Sequence, residues 1–177
     1  LPPEKYFEVH PDWYSEIDGK RKHEHAQLCL TNEEMTRELI KNVLETLRNS
    51  PGAKIIDVSQ NDWYGFCTCE KCKAIDEAEE SHSGTLLLML NKVAEAVEKE
   101  FPDVLVESLA YQYTRKPPKT IMPRDNVLIR LCTIECSYIQ PLDGEQNRQF
   151  AADIEGWSKI AKRLFIWDYT TNYNDYL

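Results

Sequence analysis

Short runs of strand-forming residues alternate with helical patterns along this chain, and the alternation restricts the fold more than any other feature. Ala26 to Leu30 (AQLCL) reads as a first strand and runs into Thr31-Asn32-Glu33-Glu34, a capping-box spacing. Met35, Leu39, Ile40, Val43, Leu44 and Leu47 then fall on one helical face until Ser50-Pro51-Gly52 stops it. Lys54 to Ser59 is a second strand, and Leu86, Leu90, Val93, Val97 and Phe101 mark a second amphipathic helix ended by Pro102. Val104 to Tyr111 and Val127 to Ile134 are further strands, Phe150, Ile154, Trp157 and Ala161 mark a third helix, and Leu164 to Trp167 is the fifth strand. Strands separated by helices of this length build an α/β fold of parallel β/α repeats. No glycine-rich phosphate turn follows any strand, which removes the nucleotide-binding doubly wound sheet and favours part of a (β/α)8 (TIM) barrel. The expectation is a single domain over 1–177 with about five strands, since a whole barrel takes about 250 residues. The connection TRKPPKTIMPRDN is proline-rich without helical period, so one crossover helix is missing or very short.

With 177 residues of which 42% are apolar, the chain can bury one sizeable core. It contains no run of about 18 apolar residues, so no membrane span is expected. The opening LPPEKYFEVHPDWY lacks the charged-then-apolar order of a targeting signal. A net charge of −9, spread along the chain, argues against nucleic acid as a partner.

Polar residues gather at the carboxyl ends of the strands, where a barrel places its active site. Asn32 follows the first, Asn61, Asp62 and Trp63 the second, Tyr111 and Tyr113 the third, Glu135 the fourth, and Asp168, Tyr169 and Asn172 the fifth. Aromatic faces and Asp, Asn and Glu side chains bind sugars, and paired carboxyl groups cleave glycosidic bonds. Trp63, Tyr111, Trp167, Tyr169 and Asn172 are therefore candidates for binding an oligosaccharide or polysaccharide, and Asp62, Asp168 and Glu135 for catalysis. In the sharper form, Trp63 and Tyr64 shield Asp62 as general acid, Asp168 is the ionised partner, and Glu135 competes for that second role. Glu135 reaches the site only if its strand has already ended, because it stands on the opposite parity from Arg130 and Cys132. The competing explanation is that strand ends are polar because they meet water. A non-catalytic carbohydrate-binding or scaffold domain would keep the fold without the carboxyl chemistry.

The stretch SQNDWYGFCTCEKC sets three of the six cysteines just after Asp62. The spacing C-x-C-x-x-C can occupy one face of a zinc tetrahedron, with Cys67, Cys69 and Cys72 as ligands and Cys29 as the fourth. Such a closed site is structural, and catalysis itself would need no cofactor. Disulfides, with Cys132 and Cys136 also to hand, are the alternative. Either arrangement pins the loop carrying Asp62 and Trp63.

Other features weigh less. His23 and His25 form an H-x-H pair within KRKHEH that reads first as a solvated charged turn. Asp57, Glu107 and Arg130 lie inside strands and can pair as a buried ion cluster. Glu70 to Ser83 reads as a solvated helix over the site mouth, and His10 with Trp13 as a packed loop anchor.

HPDWYSEIDGKR, QLCLTN, SQNDWYGFCTCEKCKAID, NVLIRLCTIECSY and FIWDYTTNY together resemble an uncharacterised family of glycoside-hydrolase-like barrel domains, distantly similar to the α-glucuronidase and hexosaminidase barrels. WDYTTNY is loosely similar to the Trp-Asp-Asn-Tyr segment with which some hexosaminidase-like barrels grip sugar hydroxyls. The resemblance implies a carbohydrate-active domain of a secreted, periplasmic or cell-surface protein. It also implies remaining barrel strands and accessory β domains elsewhere in a longer protein.

Overall fold

The computed structural model describes residues 1–169. Four strands, β3 (Ile55–Asp57), β4 (Leu105–Ala110), β5 (Val127–Cys132) and β6 (Leu164–Trp167), form one parallel sheet in the order β3-β4-β5-β6. Between them run α3 (Glu70–Ala78), α4 (Ser83–Glu100) and α5 (Arg148–Ile160). Before them come α1 (Pro3–Tyr6), a small hairpin of β1 (Glu16–Ile17) and β2 (Lys20–Arg21), and α2 (Glu33–Arg48). The mixed α/β class and the parallel β/α repeat agree with the sequence reading; the described strands make an open sheet rather than a closed barrel. As expected, the β4–β5 connection carries only a 3-10 turn, Gln112–Thr114.

Capping sets the start of α2. Asn32 accepts hydrogen bonds from the Glu34 and Met35 amides at 3.0 and 2.9 Å, satisfying donors that the first helical turn leaves free. Helix α4 is the central prop, with Leu87, Leu90, Val93, Ala94 and Val97 fully buried. It packs with Val43 and Leu47 of α2 and Phe150 and Trp157 of α5 against Val106, Ala110, Val127, Ile129 and Leu131 of the sheet. These sheet residues alternate along their strands, so the helices cover one face only.

The other face is partly exposed. Ile55, Phe165 and Trp167 are 48%, 51% and 42% accessible there. Among them lies part of the expected ion cluster: Arg130 pairs with the buried Glu107, and its guanidinium lies 4.7 Å from the Trp167 ring centre and 5.6 Å from that of Phe165. Burial pushes the Glu107 carboxyl above its ordinary range, Arg130 opposes that, and Asp57 adds to it. Asp57 itself turns to the Ser59 amide and hydroxyl.

Two expectations need correction. Ala26 to Leu30, expected as the first strand, does not join the sheet; it makes only isolated bridges, Ala26 with Gly65 and Leu28 with Tyr14. Its amides are used by loops instead, Gln27 donating to Gly65 O and Cys29 to Trp13 O, because its side chains are committed to clamping those loops. Second, the segment Glu70 to Ser83 is not a solvated helix throughout. Helix α3 ends at Ala78, and Cys72, Asp76, Glu79 and Ser81 are buried. Its inward face is made of a thiol and of hydrogen-bonded polar groups, which an apolar pattern search passes over.

Candidate functional site

The loop after β3 is fastened at several points. Gln27 is buried; its Nε2 donates to the Asn61 and Trp63 carbonyls and its Oε1 accepts from the Asn61 amide at 2.8 Å. Asn61 Nδ2 donates back to Ala26 O at 3.1 Å. Gly65 touches the Ala26 segment so closely that a Cβ there would stand 2.2 Å from the His25 carbonyl oxygen. Only glycine permits that approach.

The same loop ends in the cysteine cluster. Cys29, Cys67, Cys69 and Cys72 are all buried, with their ligand atoms within 4.8 Å of one another. All six cysteines are free. Four sulfurs bound tetrahedrally at about 2.3 Å to one ion stand ~3.8 Å apart. Cys29 Sγ lies 3.7 Å from Cys69 Sγ and 3.9 Å from Cys72 Sγ, so the four thiols could hold a metal ion. Around them, the Glu16 amide donates to Cys67 Sγ at 3.3 Å, Arg21 Nη1 reaches the same sulfur at 3.7 Å, and Thr31 Oγ1 sits 3.2 Å from Cys72 Sγ. Hydrogen bonds from Cys67 and Cys72 hold the Cys29 thiol far below its ordinary range; the bond with Cys29 pushes Cys67 up to about 12. Four buried thiolates would repel one another, so the cluster favours protons or a cation between its sulfurs. Binding a metal would displace those protons. The hairpin that brings Arg21 here turns on Asp18-Gly19, both at positive φ (53° and 72°), a two-residue hairpin signal that the strand search passed over.

At the carboxyl ends of the strands, Asp62 is exposed and accepts at Oδ1 from the Tyr111 hydroxyl at 2.9 Å and from Gln112 Nε2 at 3.4 Å. Strand β5 stops at Cys132, which frees Glu135 from strand parity. Arg115 then binds Glu135 at 3.0 Å through Nη1 and the buried Asp153 at 2.8 Å through Nε. Asp168 accepts from the Thr133 hydroxyl at 3.0 Å, while that oxygen accepts from the Tyr169 amide at 2.8 Å. Burial raises the Tyr169 phenol, and the nearby Cys132, Asp62, Tyr138 and Glu135 add to the effect. Asp62 and Glu135 thus stand on separate loops, each held by a residue of the segment 111–115. Asp168 and Tyr169 also border a cavity of about 370 Å³ with Thr133 and Tyr138.

The chain matches, over residues 1–177, the family described as Domain of unknown function (DUF4838). It belongs to that family. No curated protein matches it. Membership leaves the chemistry to be argued from the geometry.

The aromatic candidates divide. Trp63 is 48% exposed and leans on His25, ring centres 4.0 Å apart; Tyr64 is exposed too, so neither covers Asp62. Tyr111 is buried and serves as a donor to Asp62, whereas Trp167 lies on the open sheet face over Arg130. Asn172 lies outside the described residues. His23 rests on Phe7 and His25 on Trp63, so the two histidines serve different contacts, and Trp13 is a buried anchor stacked on His10. Sequence reasoning missed Gln27, Gly65 and Arg115. Only Arg115 left a trace: a cation two residues past the strand-end tyrosine pair, in a loop facing several acids. No described helix is long and apolar enough to cross a membrane.

Proposed function

We propose that this domain is carbohydrate-active, the substrate-binding and acid–base part of a glycoside-hydrolase (β/α)8 barrel, with a structural zinc held by Cys29, Cys67, Cys69 and Cys72. One observation carries the reading: the short segment 111–115 holds both Asp62 and Glu135 at the carboxyl ends of parallel strands, the first through the Tyr111 hydroxyl and the second through the Arg115 guanidinium. Paired carboxyl groups at that end of such a sheet are the equipment of glycosidic cleavage. The half-open sheet supports the barrel, because parallel sheets are covered on both faces and Phe165, Trp167 and Ile55 here await further strands of a longer protein. Four thiol donors at tetrahedral spacing, with no place for a substrate ligand, suit zinc in a structural role. Held as thiolates by the ion, they fit a secreted or cell-surface setting without pairing as disulfides.

Roles follow from the partners. Glu135, with the Arg115 guanidinium at 3.0 Å, takes the role of the carboxylate that attacks or activates water at the anomeric carbon. Asp62 is oriented by the Tyr111 and Gln112 donors at Oδ1 and takes the role of general acid toward the leaving oxygen. A sugar ring seated on Trp63 would supply the cover over Asp62 that Trp63 and Tyr64 do not give in the free protein. Asp168, held by Thr133, then binds hydroxyls from the side.

The leaving group tests this assignment. Asp62→Asn should slow hydrolysis of an unactivated glycoside far more than that of an activated aryl glycoside, which needs no proton. Equal losses on both would take Asp62 out of the acid role. Sugar binding without any hydrolysis by the full chain would leave a carbohydrate-binding domain.

A further inference from the structure

A second cavity, of about 740 Å³, lies beside the cysteine cluster, enclosed by α3, the turn into α4 and the loops that carry Phe66 and Tyr113. That size is in the range of small-molecule sites. None of the carboxyl groups assigned above lines it. On its wall, His82 Nδ1 lies 2.6 Å from Asp76 Oδ2. Asp76 is buried, and its other oxygen accepts from the Thr85 hydroxyl at 2.8 Å, so the carboxylate is fixed and fixes the imidazole in turn. His82 Nε2 has no hydrogen-bond partner among the described residues, and the side chain keeps 34% of its accessibility. Phe66 lies 3.9 Å from the His82 ring, centre to centre, and Tyr113 lies 5.2 Å from Phe66.

A helix-capping role accounts for Asp76 but not for the rest. Capping α4 needs the Thr85 contact; it does not need an imidazole with one nitrogen engaged and the other open, set in an aromatic wall of a sizeable cavity. The chain also turns to build that wall. Gln112 takes a left-handed φ of 52°, rare for a side-chain-bearing residue, between Tyr111, which faces Asp62, and Tyr113, which faces His82.

The charges choose the ligand. Lys73 pairs with Glu77 at 3.7 Å, Glu80 with Lys119 at 2.6 Å, and Lys116 Nζ donates to the Glu80 carbonyl at 2.7 Å. Neither an excess of cations for a phosphate nor a set of open carboxylates for a metal ion remains. What remains is an aromatic wall, an oriented imidazole and hydroxyl, ammonium and carboxylate groups that can both give and accept hydrogen bonds. That combination recognises a neutral polyhydroxylated ring. We propose that this cavity is a saccharide-binding site distinct from the carboxylate mouth, with His82 Nε2 as its oriented hydrogen-bonding group and Phe66 and Tyr113 as its apolar wall.

NMR of the full chain with isotope-labelled histidine and tyrosine tests it, using cellobiose, xylobiose and N-acetylglucosamine as neutral probes and glucuronate and inorganic phosphate as anionic ones. At least one neutral sugar should move the His82 ring signals saturably. His82→Gln and Phe66→Ala, each checked for an unchanged fold by the remaining histidine signals, should both weaken that sugar about tenfold, the loss of roughly one good contact. In the His82 variant the binding is followed through the Tyr113 ring. Asp62→Asn should leave the His82 response intact, which separates this site from the hydrolytic reading: either can fail alone. The proposal is overturned if no neutral sugar moves the His82 signals, if only glucuronate and phosphate do, or if Asp62→Asn abolishes the response.

Discussion

Trp63 shows what one side chain can reveal about this molecule. At 48% exposed it packs little, touching mainly the His25 ring, yet the chain fixes its backbone through Gln27 and the Gly65 approach. A large aromatic half in solvent on a fastened backbone is placed to stack on a ligand. Trp63→Ala should leave stability within about 0.5 kcal/mol of the parent and weaken sugar binding about tenfold; a large drop in melting temperature with unchanged affinity would make it a packing residue. At this scale the acidic and aromatic residues were legible, because their chemistry is visible in one dimension. Gln27, Gly65 and Arg115 were not, since each matters for what lies across the fold. Gln27 is 34 residues from the Asn61 carbonyl it holds, and Arg115 is 20 and 38 residues from the two acids it joins.

The helices were legible from period and caps, but the joints between elements were not. The turn between α3 and α4 is tied to the β4–β5 connection by Glu79, a buried carboxylate that accepts from the Thr120 amide at 2.7 Å, the Ile121 amide at 3.0 Å and the Thr120 hydroxyl. Burial alone would raise its pKa, but these hydrogen bonds outweigh it and hold the carboxyl below the ordinary range. A lowered folded-state pKa gives stability that is fully present above the unfolded value and is lost as pH falls through the folded one. Glu79→Gln should therefore cost about 1–3 kcal/mol at neutral pH, and the gap from the parent should narrow below roughly pH 4. A gap that stays constant down to acid pH would show that the charge is not what matters. The cysteine joint makes a parallel case. Cys69 stands at the N-cap position of α3 and sits 3.7 Å from Cys29, and Cys69→Ser should lower the melting temperature by more than it lowers the activity of the surviving folded fraction. A chelator should destabilise the parent and leave the serine variant little changed. Unchanged melting with abolished turnover would make the cluster catalytic instead. The C-x-C-x-x-C spacing announced this joint, whereas Ala26 to Leu30 misled as a strand because its β-forming residues spend their backbone groups on loops.

The whole molecule is a parallel sheet with one face packed by helices and the other holding an Arg130–Glu107 pair among exposed aromatics. The repeat of strands and helices was readable because burial imposes a period; how many strands pair, and whether they close, depends on contacts no local pattern encodes. On this sheet the four-cysteine loop, the Gln27 clamp and the Arg115 bridge all fasten the loops at the carboxyl ends of the strands, the place of the proposed hydrolysis. Turnover of a glycan panel by the full chain, with Glu135→Gln and Asp62→Asn beside it, tests it most directly. Hydrolysis of at least one glycan is expected, with a fall of about 10²–10⁴-fold for each variant on an unactivated substrate and melting temperatures close to the parent's. Hydrolysis that survives both substitutions would contradict it.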